Sequence, residues 1–402
     1  MSSSPITSKD FKTPCYLYDM DLLVRTLDAI KAETAGYDNY HVHYAIKANA
    51  NPKVLSCIAA AGLGADCVSG GEIEAALRTG YSASDIVFAG VGKADWEIQF
   101  ALEKGIGMFN VESIEELEVI NEMARKLQQR ARVSFRINPN VGAHTHEHIT
   151  TGKAENKFGI DKEDMTKVIR MAETMPLIDF TGLHFHIGSQ LLQMDDFEAL
   201  CIRINELQDE LDSEGIYAPN INVGGGLGID YEQPDKHPIP NFKAYFDTFK
   251  RGLQLRQGQQ LHFELGRAIV AQMGTLLTRV LYVKHGKQKQ FVIVDAGFTD
   301  LIRPALYGAH HAIQNYTAEK ELSNPNSSDS SCSEICSKRA TAVTYDVVGP
   351  ICESSDVFAK DLSLPETRRG DLIAIRSAGA YGETMASQYN CRPLPQAHTT
   401  DE

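Results

Sequence analysis

Lys47 closes the apolar run VHYAIK (42–47) and is followed at once by Ala48, Asn49, Ala50, Asn51 and Pro52. A strand feeding a packed core gains nothing from an ammonium group at its end, and a lysine there ordinarily escapes to solvent. Other runs of the same texture also carry polar groups at their ends. Asp66 lies in GADCVS (64–69), Arg136 in RVSFRINP (132–139), and His184 and His186 in FTGLHFHIG (180–188), with Ser189 and Gln190 just beyond. NINVGGG (220–226) ends in Gly224, Gly225 and Gly226, with Gly228 following, and LHFELG (261–266) carries Glu264 and Gly266 and runs into Arg267. One buried polar residue is a satisfied core group; several strand ends that converge are a site.

The residue types define what such a site would take. A lysine amine forms a Schiff base with a carbonyl carbon. A glycine-rich loop after a late strand offers backbone N–H groups to a phosphate, and Ser189 could add a hydroxyl. Alone, GGGLG would be a tight turn and His186 a core histidine. Together, a lysine, a carboxylate, a flat imidazole and a phosphate cradle describe pyridoxal 5'-phosphate, with Glu264 holding the pyridine nitrogen protonated so that the ring accepts electrons. His186 would stack on the ring, and Lys47 would bind the cofactor's aldehyde carbon. A metal is not expected: HTHEH (144–148) alternates three histidines without a fixed ligand partner, and no further ligand follows Cys332 and Cys336 at metal spacing.

These residues need a scaffold that brings strand ends together. The runs above, with IVFAG (86–90) and GMFNV (107–111), make eight candidate strands, most of them separated by amphipathic segments. SIEELEVINEMARKL places Ile114, Leu117, Ile120, Met123 and Leu127 at helical spacing behind a Ser113 cap. Eight such units favour a closed (β/α)8 barrel over an open doubly wound sheet, and catalytic groups then belong at the C-terminal ends of the strands. After about residue 268 the texture becomes β-rich, with two strands around a polar turn at His285–Gln288 and further strands in TAVTYDVVGPIC and GDLIAIRSAGAYG. Residues 318–340, rich in Ser, Asn and charge, read as a mobile loop.

Bulk properties exclude several classes. The 402 residues are 43% hydrophobic and 23% charged with net charge −14, which argues against nucleic-acid and anionic-membrane surfaces. The start MSSSPITSKDFKTP has no apolar h-region, and no apolar run reaches the roughly 18 residues of a membrane span. Eight cysteines without a CxxC pair fit reduced thiols in the cytoplasm.

The motifs HYAIKANAN, GADCVSGGE, VFAGVGK, FNVES, HFHIGSQ, VGGGLGIDY, ELGR, IRPALYGAHH, GPICESSD and GAYG, in this order from about Thr13 to Pro395, resemble the diaminopimelate decarboxylase family, of the alanine-racemase-like, fold-type III pyridoxal-phosphate enzymes. The resemblance implies a barrel over 20–267 and a β domain built from 1–19 and 268–402. It implies decarboxylation of meso-2,6-diaminopimelate to L-lysine, the last step of lysine biosynthesis, in a head-to-tail homodimer with shared active sites. Cofactor contacts would come from Lys47, Asp66, Arg136, His186, Ser189, Gly225, Gly226, Glu264, Leu265, Gly266, Arg267 and Tyr381. Arg267, Arg303, Tyr307 and Tyr381 would touch substrate. Cys352 and Glu353 would reach in from the partner subunit, Cys352 as the proton donor to the carbon that CO2 leaves. The family's EPGR is ELGR here; Leu265 replaces proline and leaves Glu264 and Arg267 in place. Chemistry agrees: the distal end of diaminopimelate needs a cation for its carboxylate and an anion for its ammonium, which Arg303 and Glu353 supply. The rival readings are a decarboxylase of ornithine, lysine, arginine or carboxynorspermidine, an amino-acid racemase, and a non-catalytic cofactor-binding homologue.

Overall fold

The computed structural model describes residues 11–141, 157–323 and 339–402. Two units emerge: Val24–Ile229 with Pro240–Ile269, and Met1–Leu23 with Asp230–Ile239 and Val270–Glu402. The first strand, β1 (Cys15–Tyr18), belongs to the second of these. The next eight close the expected barrel: β2 (Tyr40–Ala45), β3 (Gly64–Cys67), β4 (Ile86–Phe88), β5 (Met108–Val111), β6 (Ala131–Arg136), β7 (Ile178–His184), β8 (Asn220–Asn222) and β9 (Gln260–Leu265). All are parallel, and β2 pairs with β9 from Tyr40↔Leu261 to Tyr44↔Leu265 to seal the ring. Parallel neighbours need a crossover, which explains the amphipathic segments between them. The helix Ile114–Leu127 is one: the Ser113 hydroxyl accepts from the Glu116 N–H, and Leu117, Ile120 and Ala124 are buried.

Seven of the eight barrel strands stop one to four residues short of the apolar runs that signalled them; β5 ends with its run, at Val111. β2 ends at Ala45, and Ile46–Ala48 form a turn of 3-10 helix. β7 ends at His184 and β8 at Asn222, so His186 and the whole glycine run sit in loops. Runs read from hydrophobicity include the first loop residues because these are buried too: Ile46, Phe185, Ile187 and Val223 are all inaccessible. Lys47, His186, Ser189 and the glycine run therefore stand just past the strand ends, while Asp66, Arg136, His184 and Glu264 occupy the last residues of the strands themselves.

In the second unit, β10 (Gly274–His285), β11 (Gln290–Val294), β12 (Ile313–Asn315), β13 (Ala342–Val348), β14 (Val357–Pro365), β15 (Leu372–Ile375) and β16 (Gln396–Thr399) join β1. The order is β12-β15-β10-β11-β13-β14, with β1 antiparallel to β10 and parallel to β16. Cys15, Leu17, Leu277 and Ala374 form a small core that ties the N-terminal strand to the C-terminal part. One expectation is corrected. Residues 318–323, assigned to a loop, finish the helix Tyr316–Ser323, whose Ala318 is buried and whose start is capped by the Asn315 side chain accepting from the Ala318 N–H. Polar composition concealed a helix that its cap specifies. Residues 324–338, with Cys332 and Cys336, and the HTHEH stretch lie outside the described residues.

Three histidines stack inside the barrel seam. His43 Nε2 meets His262 Nδ1 at 2.9 Å, His262 Nε2 meets Asn220 Oδ1 at 2.9 Å, and the His41 ring lies 4.8 Å from that of His262. Burial pushes the pKa of His43 and His262 below the ordinary histidine value; the neighbouring rings lower both further, while Glu264 opposes. A depressed histidine stabilises the fold above its unfolded pKa of about 6.5, and that contribution is lost as pH falls through the folded value. Thermal melts from about pH 7 to about pH 5 should show a falling midpoint, and His262→Gln should flatten the slope. An unchanged slope would assign the acid sensitivity to other groups.

Candidate active site

Lys47 sits on the 3-10 turn that follows β2, and that turn is tightly held. The Tyr44 hydroxyl donates to the Asn49 carbonyl at 2.9 Å, and the Asn49 N–H donates to the Ile46 carbonyl at 3.0 Å. The buried Asn49 side chain accepts from the Asn51 N–H at 2.9 Å, and Asn51 caps the helix Pro52–Ala60. The ANANP run is thus a rigid bracket. It leaves the Lys47 side chain 43% accessible, with Nζ 3.9 Å from Asp66 Oδ2.

Glu264, at the end of β9, is buried and surrounded by donors. The Asn222 amide donates to Oε1 at 2.8 Å, the Asn110 amide to the same oxygen at 3.1 Å, and His184 Nε2 meets Oε2 at 3.1 Å. An oxygen pair fed by amide and imidazole N–H groups is an ionised carboxylate. Burial pushes this carboxyl up, but the pull and hydrogen bond of His184, with the charge of Lys47, outweigh it and hold Glu264 well below the usual range. Asp66 goes the other way. Burial and the charge of Glu264 push its carboxyl well up, against the pull of Lys47. Two buried carboxyls driven apart in this way mark a site with separate roles for each. Asp66 Oδ1 is buried with no protein partner, an acceptor or donor aimed at something other than the protein.

Loops complete the barrel mouth. Burial first, then the charges of Arg136 and Lys47, push His186 well below its ordinary pKa, leaving a neutral flat ring. Arg267 donates to the Ser189 hydroxyl from Nη2 at 3.0 Å. A Cβ on Gly225 would lie 1.9 Å from the Glu264 carbonyl oxygen, and one on Gly224 would lie 2.2 Å from that of Phe185. Gln190, at φ 62°, clasps Ile229 through both its N–H and its carbonyl and joins the two loops. Arg136 ends β6 with its guanidinium 3.2 Å from Glu112 Oε2 and 4.9 Å from the Phe158 ring centroid. These residues fit pyridoxal phosphate: an accessible amine, a charged carboxylate with a spare lone pair, an orphaned Asp66 oxygen, and glycines packed too closely for any side chain.

The barrel unit thus brings together Lys47, Asp66, Arg136, His186, Ser189, Gly225, Gly226, Glu264, Leu265, Gly266 and Arg267, each on a strand end or the loop after one. In the other unit, Arg303 is buried, donates to His311 Nε2 at 2.8 Å and lies 4.9 Å from the Tyr231 ring centroid. Tyr307 ends the short helix Arg303–Tyr307, and Tyr381 adopts φ 57°. Cys352 is an exposed free thiol, and Glu353 accepts from the Tyr389 hydroxyl at 2.7 Å. Sequence reasoning missed Asn110, Asn222 and Glu112. The signal was present: asparagine is disfavoured in strands, yet FNV and NIN each place one inside a buried strand.

Comparison with known proteins places these features. Residues 21–271 match the family model for the pyridoxal binding domain of the pyridoxal-dependent decarboxylases. The diaminopimelate decarboxylase of Bacteroides thetaiotaomicron is 59% identical over 98% of this chain and 97% of its own. The crystal structure of diaminopimelate decarboxylase from Helicobacter pylori complexed with L-lysine superposes with a TM-score of 0.86 at 40% identity, covering 97% of this chain and 92% of that one. Its counterpart from M. jannaschii, also in complex with L-lysine, gives 0.84 at 36% identity over 97% and 88%.

Gly225→Ala tests the cradle. The added methyl must displace the backbone of β9 beside Glu264, at a cost of about 1–3 kcal/mol. A lower melting temperature and weaker retention of a phosphate-bearing cofactor should appear together. Wild-type behaviour in both would mean that the loop is not seated against Glu264 as described.

Proposed function

We propose that this chain, which belongs to the diaminopimelate decarboxylases within the pyridoxal-dependent decarboxylase family, removes CO2 from one end of meso-2,6-diaminopimelate and releases L-lysine. The observation that carries the mechanism is the buried Glu264 carboxylate in its cage of three donors, in the same unit as the accessible Lys47. Pyridoxal 5'-phosphate, when bound, draws off the electron pair left on the α-carbon as CO2 departs. Lys47 would hold the cofactor's aldehyde carbon and Glu264 a proton on its ring nitrogen. Neutral His186 would present an uncharged flat face. Ser189, Gly225, Gly226 and Arg267 would take the phosphate side, with Asp66, Arg136, Leu265, Gly266 and Tyr381 completing the cofactor's surroundings.

On the substrate side, Arg303 would bind the distal carboxylate and Glu353 the distal ammonium, with Tyr307, Arg267 and Tyr381 as further contacts. Burial of Arg303 between His311 and Tyr231 supports this, since a guanidinium already held loses little freedom on binding a carboxylate. Cys352 would pass its thiol proton to the α-carbon, replacing the bond that the departing carboxylate gave up. Exposure of Cys352 on its own chain favours its serving a neighbouring copy in a homodimer with shared sites. No described helix is long and apolar enough to cross a membrane. The free thiols among the described residues suit the cytoplasm.

Release of CO2 from meso-diaminopimelate, compared with L-lysine, ornithine and arginine, tests the activity and its specificity. Arg303→Ala removes one member of a charge pair, a loss of roughly 2–5 kcal/mol or on the order of 30- to 5,000-fold. Turnover of meso-diaminopimelate should fall steeply, while the background rate on L-lysine changes far less. Equal losses on both substrates would assign Arg303 to the fold.

Subunit sharing has its own test. Lys47→Ala and Cys352→Ala chains, each inactive, should regain activity when mixed and allowed to exchange, because each hybrid dimer holds one intact site. No recovery despite demonstrated exchange would place Cys352 in its own chain's site.

A further inference from the structure

The motifs VGK (91–93) and NVES (110–113) contain charged residues to which the proposed chemistry gives no role. In the structure they meet. Lys93, in the loop after β4, has a side chain only 1% accessible. An ammonium has three N–H donors, and all three are taken: by the Gly90 carbonyl at 2.8 Å, the Asn110 carbonyl at 2.9 Å and Glu116 Oε1 at 2.6 Å. Each acceptor leads on to the site. The Asn110 side chain donates to Glu264. The other oxygen of Glu116 accepts from the Glu112 N–H at 2.8 Å. Glu112 then receives the Arg136 guanidinium, the Gly90 N–H at 2.8 Å and the Gly159 N–H at 3.2 Å.

We infer that Lys93 is a positioning residue for the reaction, fixing Asn110 and Glu112 and through them the direction of Glu264 and Arg136. The inference rests on the proposed cofactor roles of those two residues. The network comprises two cations and two anions, Lys93 with Glu116 and Arg136 with Glu112, so its charges balance away from water. Burial pushes the Glu116 carboxyl up against the pull of Lys93, so loss of the ammonium favours protonation of Glu116 and loosens its hold on the Glu112 backbone. Such a lysine could serve merely to neutralise Glu116. The two roles separate because neutralisation needs one of its three hydrogen bonds and positioning needs all three.

The test compares Lys93→Met with the charge-balanced double variant Lys93→Met/Glu116→Gln, both as holoenzyme. Misplacement of reacting groups costs on the order of a hundredfold in rate. Lys93→Met should lower kcat by roughly ten- to a hundredfold with KM for meso-diaminopimelate within about threefold. It should also shift the pH dependence of the cofactor's visible absorbance. The double variant should regain melting temperature but neither kcat nor the wild-type spectral titration, since the ties to Asn110 and Gly90 stay broken. Recovery of kcat along with stability would overturn the inference and leave Lys93 a counter-ion. If the single variant does not fold, the double variant carries the same comparison. A wild-type protein that releases no CO2 would instead refute the proposed function, a separate failure visible before any variant is made.

Discussion

An anion inside a barrel must be surrounded by donors or it gives up its charge, and this structure is arranged around meeting that demand at Glu264. The donors come from β5, β7 and β8, while the carboxylate comes from β9. No local segment could supply them; only closure of the ring brings four strands to one point. The neighbouring carboxyl, Asp66, inherits the consequence. With Glu264 charged beside it and little water, Asp66 is driven toward its neutral form despite Lys47.

Around that centre, precision comes from backbone more than from side chains. The turn carrying Lys47 is held by Tyr44 and Asn49, and the glycine loop is seated where a methyl group would strike the Glu264 carbonyl. Gln190 stitches the loop after β7 to that after β8. Buried pairs such as Lys93–Glu116 and Arg136–Glu112 extend the same logic outward, since a charge placed indoors is tolerated when its geometry is fixed on every side.

Much of this was legible in the sequence. Period and length gave the barrel, and a lysine closing an apolar run beside ANANP pointed to Lys47 as the candidate amine. The boundaries were less legible, because buried loop residues such as Ile46 and Phe185 look like strand to any measure of hydrophobicity. Asn110, Asn222 and Glu112 were not legible as site residues, since their partners are 24 to 154 positions away and stand on other strands. The helix through residue 323 escaped because its cap, Asn315, lies within a strand rather than a recognisable turn.

The central claim is that Glu264 is ionised and keeps a proton on the cofactor's ring nitrogen. Nitrogen-15 NMR of the holoenzyme reconstituted with cofactor labelled at that nitrogen measures this directly. The ring nitrogen should be protonated across neutral pH in the wild type and should lose that proton in Glu264→Gln. An unprotonated nitrogen in the wild-type protein, or a protonated one that is indifferent to Glu264, would contradict it.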